Sequence, residues 1–280
     1  MQKNKNIILT ALFLLLFVFV FLGVGKIWDS IGIDWKETFY PAARAIMDGK
    51  SPYSVPTFRN APWTAFLLLP LALFSEHVSG ILFFIFSACI YAWTAYRLQA
   101  SRVALTAFLL SPPVVYGLRM LNVDIFVLIG FTLPAPIGLF FALIKPQMGF
   151  VMILFWLAQA WKQGGVKKVI YTFAPVTIAT ALSFFVFGNW LQDRQEDLLI
   201  SFWNASLWPW GIPIGVVLAA LSIRDLREDF AMSASPFLSP YLAYHSWASA
   251  LAGLMRRDFE LVLTVIAMWG VAIIRVLGFG

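Results

Sequence analysis

Residues 33–62 read IDWKETFYPAARAIMDGKSPYSVPTFRNAP, a charged, aromatic, proline-studded island between apolar runs. Upstream, residues 7–25 are apolar throughout and long enough to cross a hydrocarbon core of about 30 Å. The rest of the chain is built for the same solvent. Of 280 residues 61% are hydrophobic and 12% charged, with a mean hydropathy of +0.82. Soluble domains have roughly 45–50% apolar and about 25% charged residues. The expectation is a polytopic, all-α transmembrane bundle, one domain over residues 1–280, with residues 26–62 as its first extracytoplasmic loop. The basic N-terminus also suits a signal peptide, but residues 22–25 offer a poor cleavage site, so a retained first span is expected.

Composition excludes several function classes. The formal net charge of +6 fits loops facing anionic lipid, not nucleic-acid binding. Cys89 is the only cysteine, so no intrachain disulfide forms, and with two histidines a structural zinc site is ruled out. P-loop, GxGxxG and GxSxG patterns are missing, which leaves nucleotide hydrolysis and serine-hydrolase chemistry without support.

Further long apolar runs cover 81–98, 103–118, 147–161, 168–188, 236–255 and 258–278, and 211–223 is borderline. Residues 63–75, 123–133 and 136–144 are too short to span, and short helices at membrane depth are tolerated only inside protein or beside a wet cavity. Prolines in or beside these runs, Pro70, Pro112, Pro113, Pro134, Pro136, Pro146 and Pro175, are expected to mark kinks and breaks. Lys3, Lys5, Arg97, Arg102, Lys162, Lys167 and Lys168 belong in the cytoplasm by the positive-inside rule. The N-terminus is then cytoplasmic and the island faces outward. Segment 63–75 dips in and returns, 81–98 runs inward and 103–118 outward, and 123–144 forms a re-entrant hairpin from outside. A rival arrangement makes 63–75 a true span and 123–144 one kinked span, which puts Asp124 in the cytoplasm. Beyond residue 190 the rule does not decide, because Arg224 and Arg227 compete with Arg256 and Arg257 for the inside.

Within the island, Trp35, Phe39, Ala42, Ala43 and Ile46 recur at helical spacing. Pro41 suits a first turn, and Asp48-Gly49 suits a stop. This predicts an interfacial helix with Asp34 just before it, as either a helix cap or a carboxylate at the membrane boundary. Lys145 and Gln147, a cation and an amide after a short apolar segment, suit an anionic phosphate; a snorkelling lysine is the alternative. Arg119, Asn122 and Asp124 form either a polar site or a capped loop. His245, after Ser239-Pro240, reads as a ligand for pyrophosphate or sugar hydroxyls, or as a packing histidine. Trp190, Trp203, Trp208 and Trp210 fit an interfacial aromatic belt.

Together these motifs resemble the multi-pass glycosyltransferases of superfamily C (GT-C), nearest to the bacterial mannosyltransferase-like, polyprenyl-phosphate-sugar-dependent family. The similarity runs through Asp34-Trp-Lys-Glu-Thr-Phe-Tyr40, Ala42-Ala43-Arg44-Ala45, Gly49 to Tyr53, Ala61-Pro62 to Ala72, Asn122-Val-Asp124, Lys145-Pro146-Gln147 and Ser239-Pro240 to His245. Pro41 stands where that family often has an aromatic residue, and the chain is short for the group. The resemblance implies inverting transfer of a mannose-like hexose from a polyprenyl-phosphate donor to a lipid or glycan acceptor, on the outer face of the cytoplasmic (inner) membrane. Asp34 would act as catalytic base, with Lys145, Gln147, Arg59, Arg119, Asp124, Tyr40 and His245 binding substrate. No cofactor follows from it, and the need for a divalent cation stays open. The alternative is a non-catalytic GT-C-like subunit, or a transporter or scaffold for lipid-linked sugar.

Overall fold

The computed structural model describes residues 31–191 and 204–276. The first apolar run with Lys3 and Lys5, and Trp203, lie outside the described residues. The described chain is helical, and one isolated antiparallel bridge joins Asn204 to Ala243. A π-helical turn at Trp35–Phe39 leads into α1 (Tyr40–Met47). Then follow α2 (Trp63–Ala72), α3 (Glu76–Arg97), α4 (Arg102–Leu109), α5 (Pro112–Met120), α6 (Asp124–Gly130) and α7 (Ala135–Ala142). The remaining helices are α8 (Pro146–Phe187), α9 (Ile212–Asp225), α10 (Glu228–Leu238), α11 (Ala248–Ala252) and α12 (Asp258–Val276).

By length and composition α3 and α8 can each cross a membrane, and α4 with α5, bent by 48°, make a third span if taken together. The 42-residue α8 is two arms. Gly164 and Gly165 break its helical backbone, Gly165 at a positive φ of 57°. The main-chain oxygen of Ile144, just before α8, accepts from Asn60 Nδ2, while Phe187 at the far end packs on Tyr53. Tyr53 itself donates to the Asn60 carbonyl, so both ends meet one loop, whereas a straight helix of that length would part them by about 60 Å. The chain therefore reverses at the glycine pair, between the two apolar runs expected from sequence.

The island's predicted apolar face is buried: Trp35, Phe39, Ala42 and Ala43 belong to the core, with Ile46 packed against it. Pro41 sits in the first turn of α1 and Asp48 caps its end. The helix is thus docked on α2, and of its residues only Met47 is exposed. Tyr40 Oη and Arg44 Nη1 donate to Phe74 O and Ala72 O at the end of α2. Trp35 Nε1 bonds Ser79 Oγ at 3.2 Å in the first turn of α3. Segment 63–75 therefore forms one ten-residue helix whose end lies against the island.

One long apolar run is interrupted. Residues 236–255 are not one long helix: α10 ends at Leu238, an irregular strap carries Ser239-Pro240, and a 3-10 turn at Tyr244–Trp247 precedes the short α11. Ser239-Pro240 interrupts the run, since proline disfavours helix in the residue before it. The flagged prolines mostly mark breaks, as expected, by opening the next helix. Pro112, Pro136 and Pro146 occupy first-turn positions, where the missing N–H costs nothing, while Pro70 and Pro175 lie inside helices.

Because α10 rises and the strap with α11 returns, the clusters that competed for the inside share one end. Arg227 and Arg257 both pair with Asp229, Arg256 Nε donates to Leu98 O, and Lys162 Nζ donates to the Ile223 and Arg224 carbonyls. Arg97 and Arg102 flank Ser101, which donates to Asp258 at 2.7 Å. This basic end is one α3 length, about 30 Å, from the island.

Candidate functional site

Asp34 does not cap the helix that follows it; no side-chain cap bond is formed. Buried Trp35 is locked on α3, and the Asp34 side chain, 30% exposed, instead accepts from Asn122 Nδ2 at 2.5 Å. Asn122 is aimed by the end of α5. Leu121 adopts a left-handed conformation (φ 55°), which costs a non-glycine residue about 1–2 kcal/mol, and turns the chain sharply toward Asp34. The Asn122 side chain accordingly caps nothing; Val123 occupies the cap position of α6.

Asp124, fully buried in the first turn of α6, is the centre of the group. Its Oδ1 faces Lys145 Nζ at 2.5 Å, an ion pair off the line of a hydrogen bond. Its Oδ2 receives His245 Nδ1 at 2.5 Å and the Ser246 hydroxyl at 3.1 Å. Lys145 is buried between α7 and α8, so it does not snorkel. The Asp124–Lys145 contact also brings the two ends of segment 124–145 together, so the segment folds back on itself as a hairpin. Burial alone would raise the Asp124 pKa, but the His245 and Lys145 charges and the His245 hydrogen bond outweigh it, and the carboxyl is held well below its ordinary value. An ionised Asp124 makes His245 Nδ1 the protonated donor and turns Nε2 toward Asp34 Oδ2, 3.9 Å away.

Asp34, Asn122, Asp124, Lys145 and His245, drawn from four separate stretches of the chain, thus form one chain of polar contacts. Tyr116 stacks on His245 with ring centroids 6.0 Å apart. Burial, with the Asp34 charge next, raises the pKa of the Tyr241 phenol, whereas Arg59 opposes that rise. Arg119 is exposed beside Tyr116, and Gln147 is half-buried in the first turn of α8. Tyr40 does not join them, since its hydroxyl is spent on the end of α2. Tyr116, Tyr241 and Ser246 were not singled out from sequence; aromatic and serine residues in an apolar chain carry no local signal. Beneath the site Tyr91 Oη is buried without a hydrogen-bond partner, against Gly117. Among the described residues no group of three or more His, Cys, Asp or Glu is arranged to hold a metal ion.

No family model, curated protein or solved structure matches the chain.

Proposed function

We propose that the chain is an integral-membrane glycosyltransferase that moves a hexose from a polyprenyl-phosphate donor to a lipid or glycan acceptor, with inversion. The observation that carries the reading is the convergence of Asp34, the half-buried carboxylate, with Lys145 and His245. Inverting transfer needs a base for the acceptor hydroxyl as it attacks the anomeric carbon, and positive charge for the departing lipid phosphate. Asp34 is the base, held by Asn122 and partly open to water. Lys145 is compensated by Asp124 and contributes hydrogen bonds to a phosphate, while Arg119 and Arg59 add positive charge around the site. A groove of about 400 Å³ between α2 and α7, lined by Trp63, Phe66, Leu67, Ile137, Phe140 and Phe141, lies beside the helix leading into Lys145 and suits the prenyl chain. The basic end faces the cytoplasm and the Asp34 end faces outward.

The test uses purified full-length protein, a radiolabelled polyprenyl-phosphate sugar and a membrane lipid extract. Label should pass to an acceptor, and Asp34→Asn should slow transfer by about 10²–10⁴-fold, the range for losing a general base. Transfer by Asp34→Asn at the parent rate removes Asp34 from this role. Orientation is checked in a Cys89→Ser background, where Asp48→Cys should react with an impermeant thiol reagent from outside and Asp225→Cys only after the membrane is opened.

One observation favours a second reading, a non-catalytic subunit or carrier of lipid-linked sugar: Lys145, the residue assigned to phosphate, already has a buried carboxylate partner. That reading predicts binding of the labelled donor with no turnover under any acceptor.

A further inference from the structure

The basic end holds a cleft that sugar transfer does not use. It measures about 340 Å³ and opens between the end of α3, the first turn of α10 and the α11–α12 connection. Its floor is apolar, formed by Leu98, Met232, Ala252 and Met255, all buried. Its rim carries Arg227, Arg256 and Arg257. Arg227 and Arg257 are committed: both pair with Asp229 and both lie over the Phe230 ring. Arg256 is different. It is exposed and donates only Nε, to Leu98 O at 3.4 Å, so its terminal nitrogens are free to fork a phosphate. With Asp229 neutralised and Glu228 the one other acid in the rim, the cleft keeps a small positive excess.

An apolar floor beneath a free guanidinium, at the end of the membrane-length helix α3, matches an amphiphile carrying one negative charge. A free phosphate dianion would leave the floor unused. We propose that this cleft binds the headgroup of an anionic phospholipid, with Arg256 as the principal phosphate donor and the glycerol and upper acyl carbons on Leu98, Met232 and Met255. The proposal stands whether or not the chain transfers sugar.

The test is native mass spectrometry of the delipidated full-length protein in detergent, with dioleoyl phosphatidylglycerol, dioleoyl phosphatidylcholine and glycerol 3-phosphate as probes. Phosphatidylglycerol should be retained in preference to phosphatidylcholine. Arg256→Gln should weaken that retention about five-fold, the effect of one basic side chain at an anionic headgroup. Arg102→Gln, a basic residue of the same end outside the cleft, should bind as the parent does. Arg256→Lys, which keeps the charge and loses the fork, should fall between parent and Arg256→Gln, and it supplies the test should Arg256→Gln fail to fold. Equal retention of the two lipids, parent-like retention in both Arg256 variants, or an equal loss in Arg102→Gln overturns the proposal. Full displacement of phosphatidylglycerol by an equal concentration of glycerol 3-phosphate also overturns it, by assigning the cleft to a soluble phosphate.

Discussion

At the Asp34 end, charges are buried and paired across the chain; at the basic end the ion pairs are more open to water, and two of the three join near neighbours. Asp124 and Lys145 show 0% and 9% side-chain exposure, and His245 reaches Asp124 over 121 positions. Arg224 and Asp225 are 72% and 40% exposed and adjacent, and Arg227 pairs with Asp229 two residues on. The exposed pairs arise from local geometry and are screened by water. The buried network carries a desolvation cost that its Coulombic attraction roughly offsets, so holding the fold together is a weak reason for it. Its place beside a half-exposed carboxylate fits a site better than a staple.

That contrast can be broken by substitution. Asp124→Asn removes the counter-charge of Lys145 and leaves one acceptor oxygen for His245 and Lys145 where there were two, at an expected cost of about 3–5 kcal/mol in unfolding experiments in detergent. Asp225→Asn, in the exposed pair, should unfold as the parent does. If the two variants behave alike, the buried network has no special standing. Next in size is Gly117→Ala. The new Cβ would lie 2.6 Å from Tyr91 Oη and 3.4 Å from His245 Cβ, so overpacking should lower stability by about 1–3 kcal/mol. Gly270→Ala on α12 meets nothing within 4 Å and should not destabilise; thermal unfolding of the pair separates crowding at the site from a general intolerance of alanine. Asn122→Ala should cost less, about 1 kcal/mol, because Asp34 is open enough for water to replace the lost donor. A transfer assay should still register that change through the freed carboxylate.

Acidity sharpens the same comparison. The folded-state pKa of Asp124 lies below its ordinary value of 3.8, so its stabilising contribution is fully present above that value and is lost as pH falls through the lowered one. The stability gap between parent and Asp124→Asn should therefore begin to close only below pH 3.8. A gap that closes nearer neutrality would mean that Asp124 is not held as an ion.

Much of this was legible before the fold was in hand, for reasons that differ by residue. The α1 face, its proline start and its Asp48-Gly49 stop follow from period and cap chemistry, which act within a few residues. Asp34, Asp124, Lys145 and His245 stood out because ionisable groups in an apolar chain are costly and so rarely incidental. Their alternatives, a cap, a capped loop, a snorkelling lysine and a packing histidine, were equally compatible with the sequence, because each depends on where a side chain points. Tyr40 shows the converse: an aromatic beside Asp34 in sequence spends its hydroxyl on the end of α2. The competing arginines after residue 190 were undecidable because 236–255 reads as a span, and only the break at Ser239-Pro240 returns both clusters to one end.

The sequence by itself determined the solvent this chain is made for, its helical class, and a short roster of charged residues that an apolar protein keeps only at some expense. The tertiary structure decided which of them meet. Local propensity and hydropathy act over a few turns of chain, whereas the contacts of Asp34 with Asn122 and of Asp124 with Lys145 and His245 exist only once distant hairpins have packed.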